Sequence, residues 1–380
     1  MLLIKNANIY APTPLGQKDV LICGDKIELI AEKINIGNVP CQVIDAKGKY
    51  LIPGLIDQHV HITGGGGEGG FHTRAPEIQL SELILGGITT VVGLLGTDGS
   101  TRSVENLYAK TMALNEEGIT AYMLTGAYSY PGPSITGDQE RDILYCEKVI
   151  GIKVALSDHR SSNLTSKELI ALGSKARLAG MLSGKAGILV IHMGSGKRGL
   201  KSLLKALDNS DIPIGIFRPT HMGRSKKLRE EGMEYLKMGG YVDLTCSSRH
   251  PGTPSNYIAN AIAEHIPLEH ITISSDGHGS WSTYDKNGNL LEMGVAGVDS
   301  MLCELRHMVQ QKKIPLETAL PFFTSNVAAG LALSGTKGII REGADADILL
   351  LDEKLNLDTT IAKGSPLLLD GKLLKKGTYE

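Results

Sequence analysis

Charge of one sign, long hydrophobic runs and paired cysteines are all scarce in this sequence. Lysine plus arginine number 39 and aspartate plus glutamate 41, for a formal net charge of -2. With no basic surplus, neither nucleic acid nor an anionic membrane surface is an expected partner. No apolar run reaches the roughly 18 residues of a membrane-spanning helix. The opening Met1-Leu-Leu-Ile-Lys5 lacks the charged segment, apolar stretch and small-residue cleavage site of a secretory signal, so none is expected. The five cysteines (Cys23, Cys41, Cys146, Cys246, Cys303) are scattered, odd in number and never Cys-x-x-Cys. They read as free thiols in a reducing compartment, each a small buried apolar side chain, and the expected location is the cytoplasm. Large aromatics are also few, with 4 phenylalanines and 1 tryptophan against 46 glycines, so many tight turns are expected.

The hydrophobic content of 42% over 380 residues supports a sizeable core, in one large domain with an accessory unit or in two to three ordinary domains. Residues 1–53 carry short alternating runs between turns, such as Val20-Leu-Ile-Cys23 and Lys26-Ile-Glu-Leu-Ile30, which read as small antiparallel strands. The texture then changes. Apolar runs at Leu55–Ile62, Thr89–Leu95, Ala121–Thr125, Ile152–Leu156, Ile188–Met193, Ile214–Phe217, Tyr241–Thr245 and Ile271–Ser275 alternate with amphipathic stretches. The latter include Glu77–Leu85, Val104–Glu117, Lys167–Ala179, Leu228–Met238 and Pro254–Glu264. Continuous apolar strands spaced by helices predict a parallel sheet covered on both faces. Eight such units predict a (β/α)8 barrel over 54–334. A doubly wound open sheet is disfavoured, because no Gly-x-Gly-x-x-Gly follows the first strand. From Lys337 the chain returns to short strands, with a hairpin around Asp370-Gly371. Pairing both ends predicts a small discontinuous β-sandwich domain from 1–53 and 335–380.

A barrel gathers the carboxyl ends of its strands on one face, where active sites are built. Run one ends in His59-Val60-His61, whose two imidazoles share a face because side chains alternate along a strand. Run four carries Lys153, run five His192 and run eight Asp276, while His221 follows run six. Singly, each has a plainer reading, such as a loop-bonded histidine or a helix-capping aspartate. Together they form a metal-compatible set. Lys153 is the odd member, since a lysine in an apolar strand must be paired or modified. Burial depresses an amine pKa, and a neutral amine can add carbon dioxide to give a carbamate, a two-oxygen anionic ligand able to bridge two metals. No Gly-x-Ser-x-Gly elbow points to a serine hydrolase.

This set, His-x-His, Lys, His, His and Asp on strands 1, 4, 5, 6 and 8, resembles the binuclear amidohydrolases, which include dihydroorotases, hydantoinases and phosphotriesterases. Val43-Ile-Asp-Ala-Lys-Gly-Lys-Tyr-Leu-Ile-Pro-Gly54 and Gly343-Ala-Asp-Ala-Asp347 resemble the two halves of that superfamily's β domain. Asp57-Gln-His-Val-His-Ile-Thr-Gly-Gly-Gly-Gly-Glu68, Val91-Val-Gly-Leu-Leu-Gly-Thr97, Met123-Leu-Thr-Gly-Ala-Tyr128, Ser157-Asp-His-Arg160 and Ser274-Ser-Asp-Gly-His-Gly-Ser280 resemble bacterial isoaspartyl dipeptidases more narrowly. The likeness runs from about residue 43 to the end.

That resemblance implies two divalent metal ions, zinc by the nitrogen and oxygen donor type. His59, His61 and Asp276 would bind the more buried ion, and His192 and His221 the other. N6-carboxylated Lys153 and a hydroxide would bridge them. Glu68, beside the backbone of Gly66 and Gly67, would read the substrate's α-amino group. Thr97, Arg160, Arg224 and Ser280 would hold its carboxylates and backbone, and Tyr128 would stand over the scissile carbonyl. Asp276, Tyr128 and Glu68 form the catalytic set. A homo-octamer built from dimers is implied as well. The charges agree: an isoaspartyl dipeptide has two carboxylates and one ammonium, matching two arginines and one glutamate. Two rivals stand beside this reading. One is a cyclic-amide hydrolase of the dihydroorotase or hydantoinase type, whose rings lack the ammonium. The other is a scaffold that has lost its metals. Tyr130 competes with Tyr128. His278 is a minor candidate for substrate contact, and His72, His250, His265, His270 and His307 are expected to cap helices or face solvent.

Overall fold

The computed structural model describes residues 1–248, 251–287 and 289–380, so His250 lies outside the described residues. The chain opens with β1 (Leu2–Tyr10), β2 (Pro14–Cys23), β3 (Lys26–Ala31), β4 (Gln42–Asp45) and β5 (Tyr50–Pro53). Eight strands follow: β6 (Leu55–Val60), β7 (Ile88–Gly93), β8 (Thr120–Gly126), β9 (Val149–Leu156), β10 (Ile188–Met193), β11 (Phe217–Thr220), β12 (Val242–Thr245) and β13 (Ile271–Ser274). A hairpin, β14 (Ser280–Tyr284) and β15 (Leu290–Val295), comes next. The chain ends with β16 (Ile348–Leu351), β17 (Leu357–Ala362), β18 (Ser365–Leu369) and β19 (Lys372–Leu373).

Strands β6 to β11 form one parallel ladder in sequence order, and β12 and β13 form a second. β7, β9 and β10 are buried at every position, as strands covered on both faces must be, which is why they read as unbroken apolar runs. The two ladders meet at two seams. At the first, the Met222 amide donates to the Asp243 carbonyl at 3.1 Å. At the second, Val60 bridges Gly277 and the His61 amide donates to the Gly277 carbonyl at 2.8 Å. The result is the expected barrel.

Helices fill the connections at Leu80–Leu85, Val104–Glu117, Ser166–Ser183, Lys226–Lys237 and Thr253–Ala263, each within a few residues of its predicted place. Local chemistry sets their ends. Thr165 and Glu168 close a reciprocal capping box on the Ser166–Ser183 helix, and Gly184 ends it in the left-handed region at φ 68°. No helix among the described residues is long and apolar enough to cross a membrane.

The sixth run needs correction. Ile214–Ile216 is a 3-10 turn, and the strand is Phe217–Thr220. Pro213 precedes the turn and starts it, so the apolar residues there lead into the strand rather than form it. The first segment is also not purely antiparallel: β1 pairs with β2 antiparallel but with β4 and β5 in parallel. All five cysteines are free, yet only Cys246 is buried, and the other four are partly exposed.

The two ends of the chain share one nine-stranded mixed sheet in which β16 pairs antiparallel with β5. The sheet covers its own core, which includes Ile4, Ile22, Ile27, Leu51, Ile348 and Ile361. The β18–β19 turn is Asp370-Gly371, both residues at positive φ (48° and 71°), as a tight primed hairpin turn requires. Lys337 ties this sheet to the barrel. Its buried ammonium contacts Asp345 at 2.8 Å, pairs with Asp347 and donates to the Thr120 hydroxyl of β8 at 2.7 Å. Lys337→Met leaves Asp347 buried without its cation and is predicted to destabilise the fold by about 3–5 kcal/mol. An unchanged midpoint in chemical denaturation would refute this account of the junction.

Candidate active site

The carboxyl ends of the barrel strands bring the predicted side chains together. His59 lies near the end of β6 and His61 just past it, Lys153 lies within β9, His192 within β10, and His221 directly follows β11. Asp276 lies two residues past β13. Lys153 Nζ is 3.0 Å from His59 Nε2. Asp276 Oδ1 is 3.2 Å from His61 Nε2 and 3.5 Å from His59 Nε2. The His59 and His221 rings are 4.9 Å apart between centroids, and His192 and His221 4.5 Å. Candidate ligand atoms of His59, His221 and Asp276 all lie within 4.8 Å of one another.

His221 and Asp276 both have left-handed backbone, at φ 64° and 55°. Residues other than glycine hold that conformation uncommonly, with asparagine, aspartate and histidine the most frequent among them, and it clusters at functional sites.

Burial dominates the electrostatics. It pushes the imidazoles of His59, His192 and His221 well below their ordinary pKa, so they are neutral lone-pair donors. It also pushes the Lys153 amine down to about 7. Burial alone would raise Asp276, but the contact with His61 and the nearby His59 and Lys153 outweigh it and hold the carboxylate below its usual range. Burial raises the Tyr128 phenol, which therefore keeps its proton.

A second cluster adjoins the first. Glu68 accepts from the Ser280 hydroxyl at 2.8 Å, Arg160 at 3.0 Å and the Thr97 hydroxyl at 3.1 Å. Tyr128 Oη is 2.6 Å from His192 Nδ1, and the Arg160 guanidinium lies 5.3 Å from the Tyr128 ring centre. Arg224 is 3.2 Å from His192 Nε2 and donates to the Met193 carbonyl at 3.0 Å. Gly66, at φ 80°, has no room for a side chain, since a Cβ there would sit 2.4 Å from the Thr73 carbonyl oxygen. Gly67 is also at positive φ, and buried Arg102 donates to the carbonyls of Thr63, Gly65 and Ala75, fixing the loop that carries Glu68. A cavity of about 760 Å³ runs from His221, Asp276 and Arg160 past Arg224 to Trp281.

Other expectations fall away from the cluster. His278 is buried with its ring turned to the Pro76 carbonyl and Glu82, each at 2.9 Å. His270 stacks on Tyr241 at 4.2 Å between centroids. The Tyr130 amide donates to Ser162 Oγ at 2.9 Å.

Three acids were missed. Asp158 holds Arg160 through a two-pronged contact at 2.9 Å on each oxygen and lies 3.2 Å from His192 Nε2. Burial would raise its pKa, but the contacts from His192 and Arg160 hold it well below the carboxylate range. Asp57 is fully buried, accepts from the His59 and Ser275 amides at 3.2 Å each, and is pushed up to about 7 by burial. Asp243 lies inside the barrel. Its signal was an acid within an apolar run, the same anomaly that singled out Lys153.

Residues 50–367 match the amidohydrolase family, and the chain belongs to it. Among solved structures, it is 44% identical to a beta-aspartyl dipeptidase from the thermophilic, keratin-degrading Fervidobacterium islandicum AW-1 in complex with the beta-Asp-Leu dipeptide. That match covers 98% of this chain and 97% of the other, with a TM-score of 0.94. A second structure of beta-aspartyl dipeptidase from that organism is 42% identical over 98% of each chain, with a TM-score of 0.90. A D-hydantoinase from Thermus sp., 17% identical with a TM-score of 0.71 over 99% of this chain and 97% of that one, shares the fold. A curated dihydroorotase from Staphylococcus epidermidis is 35% identical over 116 residues, which is 30% of this chain and 27% of that protein.

Asp158→Ala frees Arg160 from its two-pronged anchor. It is predicted to raise KM for a dicarboxylate substrate roughly tenfold or more, the scale of a lost charge-assisted contact. Steady-state kinetics with an unchanged KM would remove Asp158 from the site.

Proposed function

We propose that the protein is a metal-dependent dipeptidase that hydrolyses the isopeptide bond of β-aspartyl dipeptides. The observation that carries this is the Glu68–Arg160 contact at 3.0 Å beside the histidine cluster. Opposite charges that close match the ammonium and carboxylate on one carbon of an α-amino acid, so the pair is suited to the free α-centre of a β-linked aspartyl residue. The full-length likeness to beta-aspartyl dipeptidases, one with beta-Asp-Leu bound, supports the same substrate. A cyclic amide has no ammonium to meet Glu68, and the dihydroorotase likenesses cover 29% to 36% of this chain.

The residues fit a metal centre. His61 Nδ1 and His221 Nε2 are buried without hydrogen-bond partners, an arrangement too costly to keep unless something else meets those atoms. His59, His61 and Asp276 would hold one divalent ion, taken as zinc, and His192 and His221 a second. Lys153 would lie between them as its carbamate: the amine nitrogen bonds to the carbon of carbon dioxide and releases a proton. When bound, such a centre acidifies a water and polarises a carbonyl.

The chain's own groups do the rest. Glu68 binds the α-ammonium, with Gly66 and Gly67 bringing backbone close to it. Arg160 and Arg224 take the two carboxylates, and Thr97 and Ser280 add neutral hydrogen bonds. Tyr128, kept protonated by burial, donates to the carbonyl oxygen as negative charge develops there. Asp276 takes the proton of the attacking water and returns it to the departing amine. A cytoplasmic location and a homo-oligomer are part of this proposal, and light scattering on purified protein tests whether the oligomer is an octamer.

Zinc-loaded protein supplied with bicarbonate should cleave β-aspartyl-leucine and leave α-aspartyl-leucine intact. Cleavage of dihydroorotate or a hydantoin in its place would move the assignment to the cyclic amides. Asp276→Asn should lower kcat by about 10²–10⁴, the range for a general acid–base group, with substrate still bound. Full turnover would remove Asp276 from that role.

A further inference from the structure

The barrel's backbone ladders stop at two places, between β11 and β12 and between β13 and β6. The buried carboxylate of Asp243, on β12, spans both. Its Oδ2 accepts from the Thr220 hydroxyl of β11 at 2.7 Å and from the Ser274 hydroxyl of β13 at 2.7 Å. Its Oδ1 accepts from Gln58 Nε2 of β6 at 2.7 Å and from the Thr272 hydroxyl of β13 at 2.9 Å. One side chain thus joins four strands across both seams.

Its partners adjoin the metal-binding side chains. Thr220 precedes His221, Gln58 precedes His59, and Ser274 lies two residues before Asp276. The Asp243 carbonyl also accepts from the Met222 amide at 3.1 Å, so His221 is held on both sides by the same residue. His221 is one of the two candidate ligands with left-handed backbone, a conformation that persists only where its surroundings enforce it. The backbone contacts that cross the seams are isolated ones, the Met222 amide to the Asp243 carbonyl and the His61 amide to the Gly277 carbonyl, rather than continuous ladders.

We infer that Asp243 is a positioning residue that closes the barrel at both seams and sets the spacing of His59, His221 and Asp276. The inference rests on the metal-centre reading above. A carboxylate suits the task because its two oxygens together offer about four hydrogen-bond acceptor sites. Residues that orient metal ligands from behind are typically worth 10–100-fold in metal affinity.

The test is competition for Zn²⁺ between the protein and a chromophoric chelator, with circular dichroism to establish folding. Asp243→Ala should weaken zinc binding by about 10–100-fold. Asp243→Asn should stay within about threefold of wild type, because the Thr220 and Ser274 hydroxyls can turn and accept from the new amide. Should Asp243→Ala not fold, Thr220→Val decides: it breaks one seam contact at nearly constant volume and should weaken zinc binding severalfold. Wild-type affinity in folded Asp243→Ala, or in Thr220→Val, would overturn the inference. An Asn variant as weak as the Ala variant would overturn it too, since charge rather than hydrogen bonding would then be the device. Wild-type protein that takes up no zinc would sink the metal-centre reading itself. Normal uptake with indifferent variants would sink the positioning role alone.

Discussion

A lysine amine shut inside the barrel, hydrogen-bonded to an imidazole, is the constraint on which the site depends. Lys153 is completely buried and its Nζ lies against His59 Nε2. Low-dielectric surroundings penalise a charged amine, and its neighbours are neutral for the same reason. The pocket therefore collects lone pairs rather than ion pairs. Negative charge enters at Asp276, beside the imidazoles, and is held there by them. A cavity that suppresses protonation of its bases, yet keeps one carboxylate ionised, is built for cations.

The adjoining cluster follows the opposite logic. Glu68, Arg160 and Asp158 alternate in sign and satisfy one another through short, directional contacts. An incoming zwitterion can replace those contacts with equivalent ones at modest desolvation cost, because the charges are already paired and oriented. The two clusters meet at Tyr128, whose ring faces Arg160 and whose hydroxyl faces His192. One rigid side chain thereby fixes the distance between the two clusters.

The barrel was legible because its strands are buried on both faces and so read as unbroken apolar runs. Its reactive residues were legible because parallel strands deliver their ends to one rim, where a histidine or lysine in an apolar run stands out. What escaped was of another kind. The turn at Ile214–Ile216 is as apolar as a strand, and only the preceding proline hinted at its geometry. Parallel pairing of β1 with β4 and β5 joins segments whose alternation carries no direction. Asp57, Asp158 and Asp243 also bind Ser275, His192 and a set of hydroxyl and amide groups that distant segments contribute, partners that local sequence does not reveal. The left-handed backbone at His221 and Asp276 has no local signature, since neither residue is a glycine.

The pairing of β5 with β16 has a consequence for how the molecule comes into being. Synthesis on the ribosome delivers β5 before the whole barrel and β16 after it. One edge of β5 therefore stays open while ten further strands emerge, an exposed edge that invites mispairing with other nascent chains. The barrel can assemble in that interval, because its neighbours in space are largely neighbours in sequence. The end sheet cannot, and its closure, with Lys337 seated between Asp345 and Asp347, is a late step of high sequence separation. The contact between β5 and β16 thus has to wait until most of the chain has been made.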